Sequence, residues 1–180
     1  MSLFIVYFHG YGSSPKTDKV SILRERLNVP VFCFPADIEP IKAKKMIEYN
    51  IDQVLLEDKY KNSKMVFVGT SLGGWMASEM AKKYNVPAIV INPSCNPGLS
   101  LEKYGVSEEI RKNYSVIEFS KNNTYFFAEN DEVIDNKEIM KELQLLCYEV
   151  YIDKKADHRY NGEAFEKVIK YIEKNYLQNF

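Results

Sequence analysis

The residues best placed for chemistry are Gly69-Thr70-Ser71-Leu72-Gly73: a serine with a glycine two positions away on each side, fed by the apolar run Met65–Val68 and followed by a helix-like stretch, Trp75–Tyr84. A strand that turns sharply into a helix holds its apical residue at strained backbone angles and leaves no room for side chains two positions away. With twelve serines and eight glycines in 180 residues, chance supplies roughly 0.02 matches to this pattern before strand and helix are also demanded. The alternative reading is a glycine-rich turn that only packs a helix closely on a strand.

A serine hydroxyl is a weak nucleophile until a base takes its proton. The chain holds two histidines, His9 and His158. His158 falls in a loop between the last strand and the last helix, downstream of the serine, and is the expected base. His9 ends the first strand beside a glycine and is expected to brace the next loop. An acid to orient the imidazole belongs after the strand Thr124–Ala128, where Glu129, Asp131, Glu132 and Asp135 stand together. Asp131, in Asn130-Asp131-Glu132-Val133, is the chosen partner, and Asp135 is free to cap the following helix. Two amides should receive the negative charge that develops on an attacked carbonyl: that of Leu72, and that of Tyr11 in the loop His9-Gly10-Tyr11-Gly12. The same loop runs on to Pro15-Lys16-Thr17 and so approaches a phosphate-binding G-x-x-x-x-G-K-T. Pro15 stands where the second glycine belongs, removes an amide donor and fixes φ, which argues against a nucleotide site; Pro15 is expected instead in the first turn of the first helix.

These residues need a scaffold, and the length allows one. A chain of 180 residues suits one domain, here 1–180, that buries about 70% of its unfolded surface. The net charge of −1 supplies no field for nucleic acid or an anionic membrane, and neither is expected as a partner. Short lysine clusters read as solvated faces. Leu3–Phe8 lacks a basic flank and ends in His-Gly, so it reads as a strand and not a signal peptide. Cys33, Cys95 and Cys147 are widely spaced and odd in number, the pattern of free thiols in a reducing cytoplasm.

Strands are predicted at Leu3–Phe8, Val31–Phe34, Met65–Val68, Ala88–Ile91, Thr124–Ala128 and Glu149–Ile152. Their nearly unalternating apolar runs suit strands covered on both faces. Helical faces fall between them, with Ile47, Ile51, Val54 and Leu55 on one and Phe165, Val168, Ile169 and Ile172 on another. Such alternation predicts an α/β fold, a parallel sheet with helices on both sides. Asn92–Asn123 breaks the rhythm after a strand's C-terminal end, where open α/β sheets place ligands. It reads as a small cap over the site or as a plain surface excursion.

The loop H-G-Y-G-S-S-P, the elbow G-T-S-L-G-G, the segment I-N-P-S-C-N-P, the N-D-E-V loop and a late D-H together resemble the small bacterial YqiA-type esterases of the α/β-hydrolase superfamily, over essentially the whole chain. The resemblance implies a minimal α/β-hydrolase fold, a three-layer αβα sandwich of about six strands in the order 2-1-3-4-5-6. It also implies hydrolysis of a small-molecule carboxylic ester or thioester with no metal or organic cofactor. Asn130 departs from the pattern, standing where many relatives have glycine. The expected catalytic set is Ser71, His158 and Asp131, with Tyr11 and Leu72 as oxyanion donors. Gly10, Trp75, Asn92 and Asn96 are the expected substrate contacts, with core packing the alternative for Trp75. The polar character of 92–123 predicts a shallow cleft for short to medium acyl groups. A non-catalytic binding protein on the same scaffold, or a hydrolase of amide or C–C bonds, are the alternatives.

Overall fold

A computed structural model describes residues 2–177; the expected domain, 1–180, extends past them at both ends. Its sheet contains β1 (Leu3–Phe8), β2 (Val31–Phe32), β3 (Lys64–Thr70), β4 (Ala88–Ile91), β5 (Thr124–Ala128) and β6 (Glu149–Asp153). The spatial order is β2-β1-β3-β4-β5-β6, and every neighbouring pair is parallel. This is the order that the resemblance implies.

Alternation along each strand builds two cores. Phe4, Val6 and Phe8 of β1 face one side, which α2 (Pro40–Leu56), α3 (Leu72–Tyr84) and α6 (Lys137–Leu145) cover with Ile47, Ile51, Trp75, Met80 and Leu143. Leu3, Ile5 and Tyr7 face the other, covered by α1 (Asp18–Leu27) and α7 (Glu163–Ile172) through Val20, Leu23, Phe165 and Val168. Both faces being dry is why β1, β4 and β5 run apolar without a break. Contrary to expectation β6, at the sheet's edge, is not covered on both faces, and Glu149 and Tyr151 are exposed.

Two departures from expectation have local reasons. The edge strand β2 pairs only through Val31 and Phe32, because Pro35 follows shortly and has no amide for a ladder; Phe34 leaves the sheet but stays stacked on Phe32 at 6.2 Å. Pro15 does not open α1. The chain first makes turns closed by Ser13 N–H to the Gly10 carbonyl and Thr17 N–H to the Ser14 carbonyl, and the helix starts at Asp18. The proline at a first turn is instead Pro40, where the Glu39 carboxylate caps α2 by accepting from the amides of Ile41 and Lys42.

The segment 92–123 contains α4 (Pro97–Ser100), a 3₁₀ turn (Glu102–Tyr104) and α5 (Glu108–Arg111). Arg111 ties them together, donating to the carbonyls of Gly98 at 2.8 Å and Val106 at 3.0 Å and to the Glu102 carboxylate at 3.0 Å. Among the described residues no helix is long and apolar enough to cross a membrane.

Candidate active site

Strand β3 delivers Ser71 to a turn of φ 55° and ψ −122°, a region that costs an L-residue on the order of 1–3 kcal/mol. The surrounding backbone over-determines it. The Ser71 amide donates to the Ile91 carbonyl at 3.0 Å, and its own carbonyl accepts from Gly74 at 2.9 Å and Ser94 at 3.0 Å. The two glycines are required by contact: a Cβ on Gly69 would lie 2.1 Å from the Gly73 carbonyl oxygen, and one on Gly73 would lie 2.0 Å from that of Phe8.

Three loops at the C-terminal ends of strands converge on this turn. His158 Nε2 lies 3.0 Å from Ser71 Oγ, and His158 Nδ1 lies 2.7 and 2.9 Å from the two carboxylate oxygens of Asp131. An ionised carboxylate only accepts, so Nδ1 carries the imidazole proton and Nε2 presents its lone pair to the serine hydroxyl. Burial alone would raise the pKa of Asp131. Hydrogen bonds from His158 and from the amides of Ile134 and Val133 outweigh it and hold the carboxyl below the ordinary carboxylate range. Glu132 accepts from the His158 amide at 3.1 Å, while Asp135 accepts from Lys137 N–H at the start of α6. Asn130 is not among the positive-φ residues, so its position makes no demand for glycine.

The histidine loop is pinned from below and from the side. Asn92, fully buried, donates to the carbonyls of Asp157 and His158 and accepts from the Ala128 amide. Lys19, on α1, donates to the Arg159 carbonyl at 2.7 Å and to the Asn161 side-chain oxygen at 2.5 Å. No motif announced Lys19; it lies 140 residues away in sequence from the loop it holds.

Ser71 and His158 open on a cleft of about 740 Å³ whose lining includes Gly10, Tyr11, Leu72, Lys19, Tyr104 and Arg159. Among the described residues, the amides of Tyr11 and Leu72 take no part in the hydrogen bonds of the surrounding loops and caps. The Tyr11 ring, 42% exposed, packs at 5.0 Å on Tyr104 from the 92–123 segment. Of the expected substrate contacts, only Gly10 lines this cleft. Asn92 is consumed by the hydrogen bonds just described, because a buried amide must pair all its groups. Asn96 accepts from Leu99 N–H as the cap of α4. Trp75 is in the core, its Nε1 donating to the Ser115 carbonyl at 2.9 Å. His9 braces the Gly10 carbonyl through Nδ1 at 3.0 Å. Cys95, beside the site in sequence, has its thiol pushed up to about 12 by burial, which leaves no thiolate to compete with the serine.

A family model, that of the uncharacterised protein family UPF0227, matches residues 4–120. Solved structures match the fold over nearly the whole chain. A protein of the alpha/beta hydrolase superfamily from Xanthomonas campestris pv. campestris superposes with a TM-score of 0.66 at 15% identity, covering 100% of both chains. Est1E from Butyrivibrio proteoclasticus with ferulic acid bound gives 0.70 at 14% identity, covering 97% of this chain and 87% of that one. An esterase from Pyrococcus furiosus gives 0.68 at 14% identity, covering 95% and 81%. These likenesses establish the α/β-hydrolase fold.

Proposed function

The chain belongs to the UPF0227 family, and from that premise we propose that it is a serine hydrolase cleaving carboxylic esters or thioesters through an acyl-enzyme. The observation that carries the reading is the continuous hydrogen-bonded line from Ser71 Oγ through His158 to the Asp131 carboxylate. The names of two fold neighbours, an esterase from Pyrococcus furiosus and Est1E bound to ferulic acid, agree with ester chemistry.

In this mechanism Ser71 Oγ attacks the carbonyl carbon as its proton passes to His158 Nε2. The carbonyl electron pair moves onto oxygen, and the amides of Tyr11 and Leu72 hold the oxyanion. Collapse breaks the bond to the leaving oxygen or sulfur, which takes the proton from Nε2. Water then gives a proton to Nε2 and attacks the acyl-serine; the second collapse releases the acid and returns the proton to Ser71. Asp131 stays ionised throughout and stabilises the imidazolium. The substrate class is a small-molecule ester of short to medium acyl length. Free Cys33, Cys95 and Cys147 fit a reducing cytoplasm.

A fluorophosphonate probe and a set of p-nitrophenyl and thioester substrates test the reading. Labelling at Ser71, and loss of about 10⁴-fold or more in kcat for Ser71→Ala, are expected. Folded protein that neither labels nor hydrolyses would make the scaffold a binding module. Hydrolysis that survives Ser71→Ala would place the chemistry elsewhere.

A further inference from the structure

A second cavity, of about 140 Å³, lies against the other side of the turn that carries the Tyr11 amide. It shares Gly10, Tyr11, Gly12, Ser13 and Leu72 with the main cleft, but neither Ser71 nor His158 lines it. We propose that this cavity is the acyl site, and that the acyl group it takes is a single uncharged aromatic ring of the benzoyl or phenylacetyl kind. The proposal rests on the acyl-transfer reading above and gives it a substrate class.

The direction follows from where protons must go. The leaving atom receives its proton from His158 Nε2, so the leaving group lies in the cleft that His158 lines. The oxyanion lies between the Tyr11 and Leu72 amides. The remaining substituent of the carbonyl carbon, the acyl group, points away from His158, and the 140 Å³ cavity is lined by Tyr11 and Leu72 but not by His158.

Size and lining set the chemistry. A void of about 150 Å³ lined by apolar side chains holds one benzene. Here the walls are half-buried Phe34, Ile38, Leu72 and Tyr114, and the floor is Phe8, Ile47, Trp75 and Met76. The floor is core, so there is no tunnel for a long chain. The walls are also fixed. Tyr114 Oη donates to the Ile38 carbonyl at 2.6 Å, and the Tyr114 ring meets Trp75 edge to face at 4.9 Å. Tyr114 comes from the 92–123 segment, which thereby closes the acyl side with one residue. A rigid slot with aromatic rings at its sides and base favours a flat ring over a flexible chain, which loses more rotational freedom on entering. Besides its apolar walls the cavity is lined by Asp37, Ser13 and His9, whose Nε2 is buried with no hydrogen-bond partner among the described residues; with no Lys or Arg there, a second carboxylate on the acyl group is disfavoured.

p-Nitrophenyl acetate, benzoate, phenylacetate and octanoate share one leaving group and differ only in what must enter the slot. The aromatic esters are expected to exceed octanoate in kcat/KM by about tenfold or more. Ile38→Trp should fill the slot and lower the benzoate-to-acetate ratio by about tenfold; Ile38→Ala should enlarge it and raise the octanoate-to-benzoate ratio. A direct arm needs no turnover. Trp75 is the chain's one tryptophan, so titrating Ser71→Ala protein with benzoate should change its emission saturably, and titrating with acetate should not. A specificity constant that climbs to octanoate, or an Ile38→Trp enzyme that slows all four esters equally, overturns the proposal. A protein that hydrolyses nothing yet shows the Trp75 response keeps the ring site and loses its acyl role along with the serine-hydrolase reading.

Discussion

The side-chain amide of Asn92 donates to the carbonyl of His158 at 3.0 Å and to that of Asp157 at 3.1 Å, so the end of β4 holds the loop that presents the imidazole to Ser71. Asn92 also sits at φ 41°, a left-handed conformation that asparagine tolerates better than most residues. Asn92→Asp keeps the shape but replaces a double donor with an acceptor facing two carbonyls. It should lower Tm by several degrees and kcat by about tenfold or more, since buried carbonyls are left unpaired. Thermal melts and kcat on one p-nitrophenyl ester check both; an unchanged kcat would show that the loop needs no support from β4.

Gly73 and Gly74 are neighbours with different obligations. A Cβ on Gly73 would stand 2.0 Å from the Phe8 carbonyl oxygen, whereas one on Gly74 would be 3.2 Å from Pro93. Gly73→Ala should therefore force α3 off the sheet and prevent soluble expression or cost several kcal/mol, while Gly74→Ala should cost about 1 kcal/mol or less. Denaturant midpoints measure the gap, and equal losses would contradict it.

What the sequence made legible follows from where its signals are local. The ends of β1, β4 and β5 coincide with their apolar runs because His9, Asn92 and Glu129 begin loops immediately afterwards. Ser71, Asp131 and His158 could be assigned to loops because each follows a strand, and the parallel order brings those loops to one end of the sheet. The side chain of Asn92 could not be oriented from sequence, since a polar residue at a strand's end reads equally as a ligand contact or a buried brace. Lys19 and Tyr114 carried no motif at all; each matters through a partner far away in the chain, Arg159 and Ile38.

In the proposed mechanism Asp131 links catalysis to acid stability. Its folded-state pKa lies below the ordinary value, so its contribution to stability is present above the unfolded pKa of about 3.9 and is lost as pH falls through the lower folded value. Asp131→Asn should lose about 10⁴-fold in kcat through the wrong imidazole tautomer. Its Tm should fall short of wild type at pH 6, and the shortfall should shrink below pH 4. Melts across that range decide it: a constant gap would mean the carboxylate's charge plays no part.

Lys19 makes the opposite kind of prediction, on the alkaline side. Its pKa is lowered from 10.5 to about 8, chiefly by burial, with the carboxylates of Asp157 and Asp18 opposing the shift and the guanidinium of Arg159 adding to it. Between about pH 8 and its unfolded value the unfolded chain holds the extra proton, so this group's contribution to stability rises with pH across that window. Lys19→Met abolishes the rise. Stability of wild type minus Lys19→Met should therefore increase from pH 8 to pH 10. The same substitution removes the donors to the Arg159 carbonyl and the Asn161 side chain, next to His158 in sequence. It should reduce kcat about tenfold with little change in KM, because the bonds it breaks position the loop of the proposed base, His158. Denaturation at pH 8, 9 and 10, with kinetics at pH 7.5, tests both halves. A stability difference that stays flat with pH, or a loss expressed in KM alone, would show that Lys19 is an ordinary cation at the cleft wall and not the clamp on the histidine loop.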